Sequence, residues 1–299
     1  MPFDFEPIRL ERQTEYRRLF AACPQKASDY SFLNLWAWAA EYGLYWAWED
    51  PLVWIKQTRP EVFLWAPVGP WEAIDWQARL GGDPSGRGTV FIRVPQKLAE
   101  SWQSIFGKRA VVAEERGDWD YLYAVSDLIE LKGSRFHKKK NLLNQFTKKY
   151  DYVYTELSPD LIARARAMQS DWCTWRDCES SAILAAENRA IARMLMHWEE
   201  LTGLLGGALL VEGAMVAYTV AEGLTDDTLL IHFEKGDTDY KGAYQAINQM
   251  FLAHAGQKFS WVNREQDLGD ENLRQAKLSY LPEDFLRKYR VTLPGPFEP

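Results

Sequence analysis

Several features that would define a function class are scarce or missing in this chain of 299 residues. The 3 cysteines are an odd number without a tight pairing pattern, so we expect a reducing compartment and no structural disulfide. No run of about 18 apolar residues and no apolar signal region occur, which predicts a soluble, cytoplasmic protein without a transmembrane segment. The net charge of −7 argues against general affinity for nucleic acid, although a local basic patch is compatible with it. Cys173 and Cys178 lack His or Cys partners at ligand spacing, so no metal site is predicted.

Core-forming residues are plentiful, with 47% hydrophobic residues and 14 each of Trp, Tyr and Phe. The length fits two domains. Two helices, a three-strand meander, a helix, a strand, a further helix and terminal strands are predicted in residues 1–130, and residues 131–299 repeat this order. That order is the order of the GNAT acyltransferase fold, so we expect an α+β protein of two tandem GNAT-like domains. By fold analogy, the site lies in the second domain, between its fourth and fifth strands.

The most polar stretch of the chain follows two predicted strands of the second domain. Strand Thr228–Glu234 leads through a glycine-containing turn into a helix, and strand Phe259–Val262 follows. In such a β-α-β unit the strands are parallel, and ligands bind beyond their carboxyl ends. Glu234, at the first strand's exit, is the candidate general base, and we expect it to matter for turnover but little for folding. The alternative is a surface carboxylate paired with Lys235 or Lys241.

Further candidate residues lie in the turn, the helix and the segment after the second strand. Arg264 and Asp267 are assigned with Glu234 to the catalytic group. Arg274 and Lys277, three apart on the next helix, share a face that could hold a phosphate or a carboxylate. The alternative is a structural network in which Asp267 caps that helix and Arg264 pairs with Glu265 or Asp267. The candidate substrate-binding residues are Tyr240, Lys241, Gly242, Tyr244, Asn248, Asn263, Glu265, Arg274 and Lys277.

His232 lies deeper on the first strand and is predicted to be a hydrogen-bonded core histidine, with a base role as the alternative. The turn DTDYKGAY differs from the pyrophosphate loop of coenzyme-A-dependent enzymes, which needs a cation, a glycine and a second small residue. Asp239 stands where the cation belongs and Tyr244 where the small residue belongs, so only Gly242 fits. This weakens a coenzyme A interpretation, although Lys241 compensates in part.

A local basic cluster occurs in the predicted helix Gly133–Tyr150, whose apolar stripe contains Phe136 and Phe146. It could bind the phosphate backbone of a tRNA acceptor stem, an acidic lipid surface, or nothing, as a solvated face. Lys139 and Lys140 are expected to lie off the apolar stripe. The candidate nucleic-acid-binding residues are Arg135, Lys138, Lys139 and Lys140.

Three segments resemble the carboxyl-terminal soluble domain of phosphatidylglycerol lysyltransferases and related stand-alone proteins: SDLIELKGSRFHKKKNLLNQF, FEKGDTDYKGAYQAIN and VNREQDLGDENLRQAKLSYLPEDFLRKY. The resemblance also touches SDYSFLNLWAW and implies a tandem GNAT fold. In membrane-anchored members it implies transfer of an amino acid from aminoacyl-tRNA to a lipid head group. The expected function is therefore a soluble acyl or aminoacyl transferase that needs no cofactor and uses aminoacyl-tRNA as donor.

Candidate partners are tRNA and a small-molecule, peptide or lipid-head-group acceptor with an amine or hydroxyl. Two alternatives stay open. One is an N-acyltransferase with acyl-coenzyme A as donor, and the other is a non-catalytic module that binds tRNA or a ligand.

Overall fold

A computed structural model describes residues 3–80 and 88–294 of the chain. The chain forms two compact units. Unit 1 comprises Met1–Asp120, Gln266–Glu271 and Phe285–Pro299, and unit 2 comprises Tyr121–Glu265 and Asn272–Asp284. Unit 2 thus begins before the predicted boundary between residues 130 and 131, and the carboxyl-terminal residues belong to unit 1.

The predicted mixture of helices and strands is present in the described ranges. The helices are α1 (Gln13–Ala21), α2 (Phe32–Tyr42), α3 (Trp76–Leu80), α4 (Gln96–Phe106), α5 (Val125–Glu130), α6 (His137–Lys149), α7 (Pro159–Trp175), α8 (Ala182–Met196), α9 (Ala243–Phe251) and α10 (Glu271–Leu278). The strands are β1 (Glu6–Pro7), β2 (Leu44–Glu49), β3 (Leu52–Gln57), β4 (Phe63–Trp65), β5 (Thr89–Pro95), β6 (Val111–Glu114), β7 (Asp120–Ala124), β8 (Tyr152–Glu156), β9 (Leu204–Val211), β10 (Ala214–Gly223), β11 (Thr228–Gly236), β12 (Trp261–Asn263), β13 (Asp284–Leu286) and β14 (Lys288–Leu293).

The sheet of unit 1 has the strand order β1-β2-β3-β4-β5-β14-β6. Strands β4 and β5 are parallel, whereas β14 is antiparallel to both β5 and β6. Buried Lys288 of β14 pairs with Asp29 and, at 2.7 Å, with Asp120, and all three side chains are fully enclosed. These ion pairs fix the carboxyl-terminal strand within the first sheet. Large aromatic side chains fill the core, including Trp46, Trp54, Phe91 and Trp102.

The second sheet has the strand order β13-β7-β12-β11-β10-β9-β8. Strands β11 and β12 are parallel, and Leu230 lies opposite Asn263. Strand β7 is antiparallel to β12, so the strand predicted to end the first domain belongs to the second sheet. The β-α-β unit predicted from the sequence is present, and it brings the carboxyl ends of β11 and β12 to the same edge of the sheet.

Helix α9, the crossover of this unit, packs against β9, β10 and β11, and α6 packs against α9. Phe146 of α6 joins Ile247 of α9 in the core cluster with Leu209. At the start of α9, Gly242 has φ of 93°. A Cβ atom there would lie 2.2 Å from the carbonyl oxygen of Leu142, so only glycine permits this approach of α6.

The prediction that the chain has no structural disulfide is wrong, because Cys173 and Cys178 form a disulfide. Asp177, in the left-handed conformation with φ of 49°, turns the chain after α7 and brings the two Cα atoms to 5.1 Å. Cys23 is free and buried. No helix within residues 3–80 and 88–294 is long and apolar enough to cross a membrane.

Candidate active site

The centre of the candidate site is an ion pair between Glu234 on β11 and Arg264, directly after β12. Arg264 Nη2 lies 2.9 Å from Glu234 Oε1, and the side chains of Arg264 and Glu234 are only 14% and 8% exposed. Asn248 on α9 donates from Nδ2 to the other carboxylate oxygen at 3.0 Å. Glu234 is therefore a buried, oriented carboxylate. Lys235 pairs instead with Glu187, at 2.7 Å.

Aromatic rings line the Arg264 side of the ion pair. The guanidinium carbon lies 5.0 Å from the ring centre of Tyr280 and 5.9 Å from that of Tyr123. Lys139 on α6 places Nζ 4.0 Å from the ring centre of Tyr280. The Tyr280 hydroxyl accepts a hydrogen bond from Gln245 Nε2 at 3.3 Å. Two cationic side chains from different elements thus lie over one aromatic ring.

Burial and neighbouring charges shift the pKa values of Lys139, Arg264 and Tyr280. Burial and, after it, the positive charge of Arg264 lower the pKa of Lys139 to about 8, although the charge of Glu234 opposes both. Burial also acts against the charge of Arg264, but Glu234 holds the Arg264 pKa above its ordinary value. Burial raises the pKa of Tyr280, which keeps its phenol protonated. Arg264 Nη1 is buried and has no hydrogen-bond partner among the described residues.

His232 lies on the same strand as Glu234 and is fully buried. Its Nε2 is 3.1 Å from Glu222 Oε1, and its Nδ1 is 3.2 Å from Glu265 Oε1. Burial disfavours the charged ring, but hydrogen bonds to and charges of both carboxylates outweigh it and raise the His232 pKa to about 9. The expected hydrogen-bonded core histidine is confirmed. It ties the segment after β12 to β10 through Glu265.

Several predicted substrate-binding residues instead order the segment after β12. Buried Asn263 accepts a hydrogen bond at Oδ1 from the backbone nitrogen of Glu265, at 2.8 Å. Lys277 Nζ donates to the backbone oxygens of Arg264 and, at 3.1 Å, of Glu265. Lys277 therefore holds the backbone that carries Arg264. Arg274, one turn earlier on α10, is half-buried.

Asp267 belongs to unit 1. Its fully buried carboxylate accepts from the backbone nitrogen of Gly269 at 2.9 Å and lies 3.4 Å from Arg116 Nη1, also in unit 1. These contacts give Asp267 a structural role in its own loop. The Glu234–Arg264 pair of unit 2 is formed without it, and Arg264 pairs with neither Asp267 nor Glu265 among the described ion pairs.

The turn before α9 has its side chains engaged in packing. The rings of Tyr240 and Tyr150 are 5.1 Å apart, and the Tyr244 hydroxyl accepts from Trp172 Nε1 at 2.9 Å. Leu142 of α6 covers Gly242, as described above. The carbonyl oxygen of Leu142 therefore lies against the glycine on which a pyrophosphate loop would depend.

Lys241, in the same turn, is exposed. It lines an open cavity of about 310 Å³ together with Gln145, Lys148 and Lys149 of α6. These three lysines form a basic surface that was not among the predicted nucleic-acid-binding residues. The described residues contain no group of three or more His, Cys, Asp or Glu side chains that could hold a metal ion.

The four predicted nucleic-acid-binding residues do not all lie on one exposed surface. Arg135 is exposed and pairs with Asp127 at 2.5 Å, and Lys138 and Lys140 are exposed. Lys139 instead turns into the site over Tyr280, because a helix rotates by about 100° per residue. The expectation that Lys139 lies off the apolar stripe is therefore wrong.

Comparison with known proteins gives the chain a family. Residues 20–292 match the family described as "Phosphatidylglycerol lysyltransferase, C-terminal". A conserved protein of unknown function from Bacteroides thetaiotaomicron has a solved structure with a TM-score of 0.87 and 31% identity, covering 97% of this chain and 99% of that one. The structure of L-PGS from Bacillus licheniformis has a TM-score of 0.63 and 12% identity over 100% of this chain and 95% of that one, a likeness of fold alone.

An uncharacterised protein of Mycoplasmoides gallisepticum is 26% identical over 175 residues, which are 58% of this chain. The match covers 55% of the relative, so the chain spans about half the length of that curated protein. Two mixed sheets, each containing a parallel strand pair, form a tandem GNAT-like fold of the transferase type. The chain belongs to the phosphatidylglycerol lysyltransferase carboxyl-terminal family.

Proposed function

We propose that this protein is an aminoacyl transferase that moves an amino acid from aminoacyl-tRNA to an amine or hydroxyl acceptor at the Glu234–Arg264 pair. The observation that carries the proposal is the buried, oriented carboxylate of Glu234 where two parallel strands end. In open sheets with parallel strands, ligands bind beyond this edge. The family assignment supports a transferase with an aminoacyl donor.

The chemistry needs a proton acceptor and no covalent enzyme intermediate. The acceptor's nitrogen or oxygen attacks the ester carbonyl carbon, a new bond to that carbon forms, and the bond to the ribose oxygen of tRNA breaks. Glu234 takes the proton of the nucleophile and returns it to the leaving oxygen. A carboxylate has about four acceptor positions, and Arg264 and Asn248 each use one, so Glu234 retains positions for a substrate proton.

The donor is proposed to be aminoacyl-tRNA rather than acyl-coenzyme A. Leu142 covers the glycine of the turn that would have to approach a pyrophosphate, and Asp239 adds a repelling charge. Exposed Lys138 and Lys140 on α6, and the basic surface of Lys148 and Lys149, offer contacts for tRNA phosphates. The family name suggests lysine and phosphatidylglycerol as the first pair to test.

The test is transfer of a radiolabelled amino acid from aminoacyl-tRNA, lysyl-tRNA first, to phosphatidylglycerol vesicles and to soluble amines. Glu234→Gln should abolish transfer, whereas Glu130→Gln, which removes an exposed carboxylate of the same unit, should retain it. The matched binding measurement is tRNA titration at several salt concentrations. Lys138→Glu with Lys140→Glu should weaken binding and reduce the log-log salt slope by about 0.7 to 0.9 per lost phosphate contact.

Opposite results would replace the proposal. Tight acetyl-coenzyme A binding that survives the Lys138 and Lys140 changes, without tRNA binding at low salt, would establish an acyl-coenzyme A enzyme instead. Saturable tRNA binding without transfer to any acceptor would establish a non-catalytic binding module. Full transfer activity in Glu234→Gln would remove Glu234 as the proton acceptor.

A further inference from the structure

Two cationic groups at the site have hydrogen-bonding capacity that the described protein leaves unused. Arg264 gives Nη2 to Glu234, but its buried Nη1 has no hydrogen-bond partner among the described residues. The only described contact of Lys139 Nζ is the face of the Tyr280 ring at 4.0 Å. A buried donor such as Arg264 Nη1 is normally satisfied, so it points to a group that arrives with a ligand, and the half-buried Lys139 can offer its Nζ to the same group.

The charges around this point do not balance. Arg264 and Lys139 each contribute one positive charge, and Glu234 contributes one negative charge. The two cations are close enough for Arg264 to lower the pKa of Lys139, and no described carboxylate pairs with Lys139. One positive charge is therefore uncompensated in a half-buried place. A single negative charge would neutralise the cluster and raise the affinity of Lys139 for its proton.

We propose that Lys139 Nζ and Arg264 Nη1 form a subsite for a monoanionic oxyanion carried by the acceptor substrate, a phosphodiester or a carboxylate. Both groups have two oxygens that share one negative charge, so one oxygen can accept from each cation. A neutral acceptor lacks this attraction, and a cationic acceptor is repelled. The proposal rests on the proposed function in one respect, namely that the bound molecule is the acceptor.

The neighbouring contacts explain why this pair selects an anion. Asn248 and Arg264 Nη2 already hold both oxygens of Glu234, so the carboxylate cannot swing to neutralise Lys139 without losing those bonds. Lys277 fixes the backbone that carries Arg264, which keeps the guanidinium in place before the ligand arrives. An anion held here by its two oxygens would lie beside Glu234, where its own amine or hydroxyl can lose a proton.

The experiment measures binding and needs no turnover. Three probes are titrated by calorimetry into the full chain: glycerophosphoglycerol as a phosphodiester, N-acetylglycine as a carboxylate, and glycerol as the neutral control. In parallel, the rate of acetylation of Lys139 by an amine-reactive ester is followed by peptide mass spectrometry. An anionic probe should bind saturably and slow the acetylation of Lys139, whereas glycerol should do neither. The probe with the lower Kd identifies which oxyanion the acceptor carries.

Matched variants locate the subsite. Lys139→Met should raise the Kd of the anionic probe by about tenfold, the loss of one charge-assisted hydrogen bond. Lys138→Met, a change of the exposed neighbour on the same helix, should leave the Kd unchanged. Circular dichroism melting of both variants verifies folding, and Lys139→Arg, which keeps the charge, should retain binding if the methionine variant is unfolded.

Failure of this proposal and failure of the proposed function are distinguishable. Absence of saturable binding of either anion, or equal weakening by Lys138→Met and Lys139→Met, would overturn the subsite. Neither result would change the outcome of the transfer assay. Conversely, protection of Lys139 by an anionic probe, with no transfer from any aminoacyl-tRNA, would support the subsite while contradicting the aminoacyl transferase.

Discussion

Replacing Glu234 with glutamine is expected to destabilise the protein as well as stop transfer. Its position at a strand exit led us to expect little effect on folding, but the structure encloses it with Arg264. Removing one partner of a buried ion pair costs about 3–5 kcal/mol, since the remaining charge stays in the interior. Exposures of 8% and 14% place this pair toward the lower end, at about 3 kcal/mol. Glutamine keeps the shape and one acceptor oxygen, so the change isolates the charge.

The assay is equilibrium unfolding of the full chain in urea, with the midpoint and slope compared between variants. The control is Glu130→Gln. Glu130 lies 2.7 Å from Lys132, but the side chains are 46% and 77% exposed, so its replacement should change the free energy of unfolding by less than about 0.5 kcal/mol. The two ion pairs have similar distances, 2.9 and 2.7 Å, but differ strongly in burial, so the comparison tests the effect of burial.

A double variant tests whether the loss comes from the pair. Arg264→Met alone should also destabilise, since it leaves Glu234 buried without its cation. Because removing both charges leaves neither one uncompensated, Glu234→Gln with Arg264→Met should cost clearly less than the sum of the single changes. Additive losses, or a loss below about 1 kcal/mol for Glu234→Gln, would refute the inference that this is a buried, coupled ion pair.

Protonated His232 should stabilise the fold fully below pH 6.5, and this contribution should disappear as pH rises through about 9. The raised pKa corresponds to about 3 kcal/mol, and His232→Gln should remove this part of the pH dependence in urea unfolding. Cys173→Ser opens a short disulfide loop and should lower the free energy of unfolding by about 2 kcal/mol, whereas identical unfolding with and without reductant would contradict the disulfide. Gly242→Ala should destabilise more than Gly213→Ala, because both have positive φ but only the former drives a Cβ to 2.2 Å from the oxygen of Leu142. Equal losses in the two melting curves would contradict the close packing of α6 on the turn.

Elements with a local cause could be predicted from the sequence, and long-range pairings could not. The further helix predicted in residues 1–130 is α4 (Gln96–Phe106), whose apolar period is complete within the segment. Strand β7, from residues 1–130, belongs to the second sheet, and strand β14, from residues 131–299, belongs to the first. Neither placement has a local sequence signal. Lys288 of β14 meets Asp29 and Asp120, which are far away in the chain, and a boundary drawn from element order alone could not include such a contact.

The candidate site also has residues that the sequence places correctly and one, Asp267, that it does not. Glu234, Asn248 and Arg264 were expected together because the ends of parallel strands and their crossover helix must meet at one edge, and the structure brings them together. Asp267 lies only three residues beyond Arg264, yet belongs to the other unit. Proximity in sequence is therefore a weak guide once a segment has left its strand, because a few residues of loop suffice to carry a side chain elsewhere.

Lys139 shows how the period of a helix separates residues that composition groups together. It lies three residues after Phe136 and four before Leu143, which places it on the apolar stripe, whereas its neighbours point elsewhere. A lysine on an apolar stripe has to extend to solvent or find a compensating group, and Lys139 reaches the ring of Tyr280 beside Arg264. The basic run on α6 thus contains two kinds of residue with different expected partners. Changes of exposed Lys138 and Lys140 should report on tRNA phosphates, and changes of Lys139 on the acceptor, so reversing Lys139 and Lys140 together would mix the two effects.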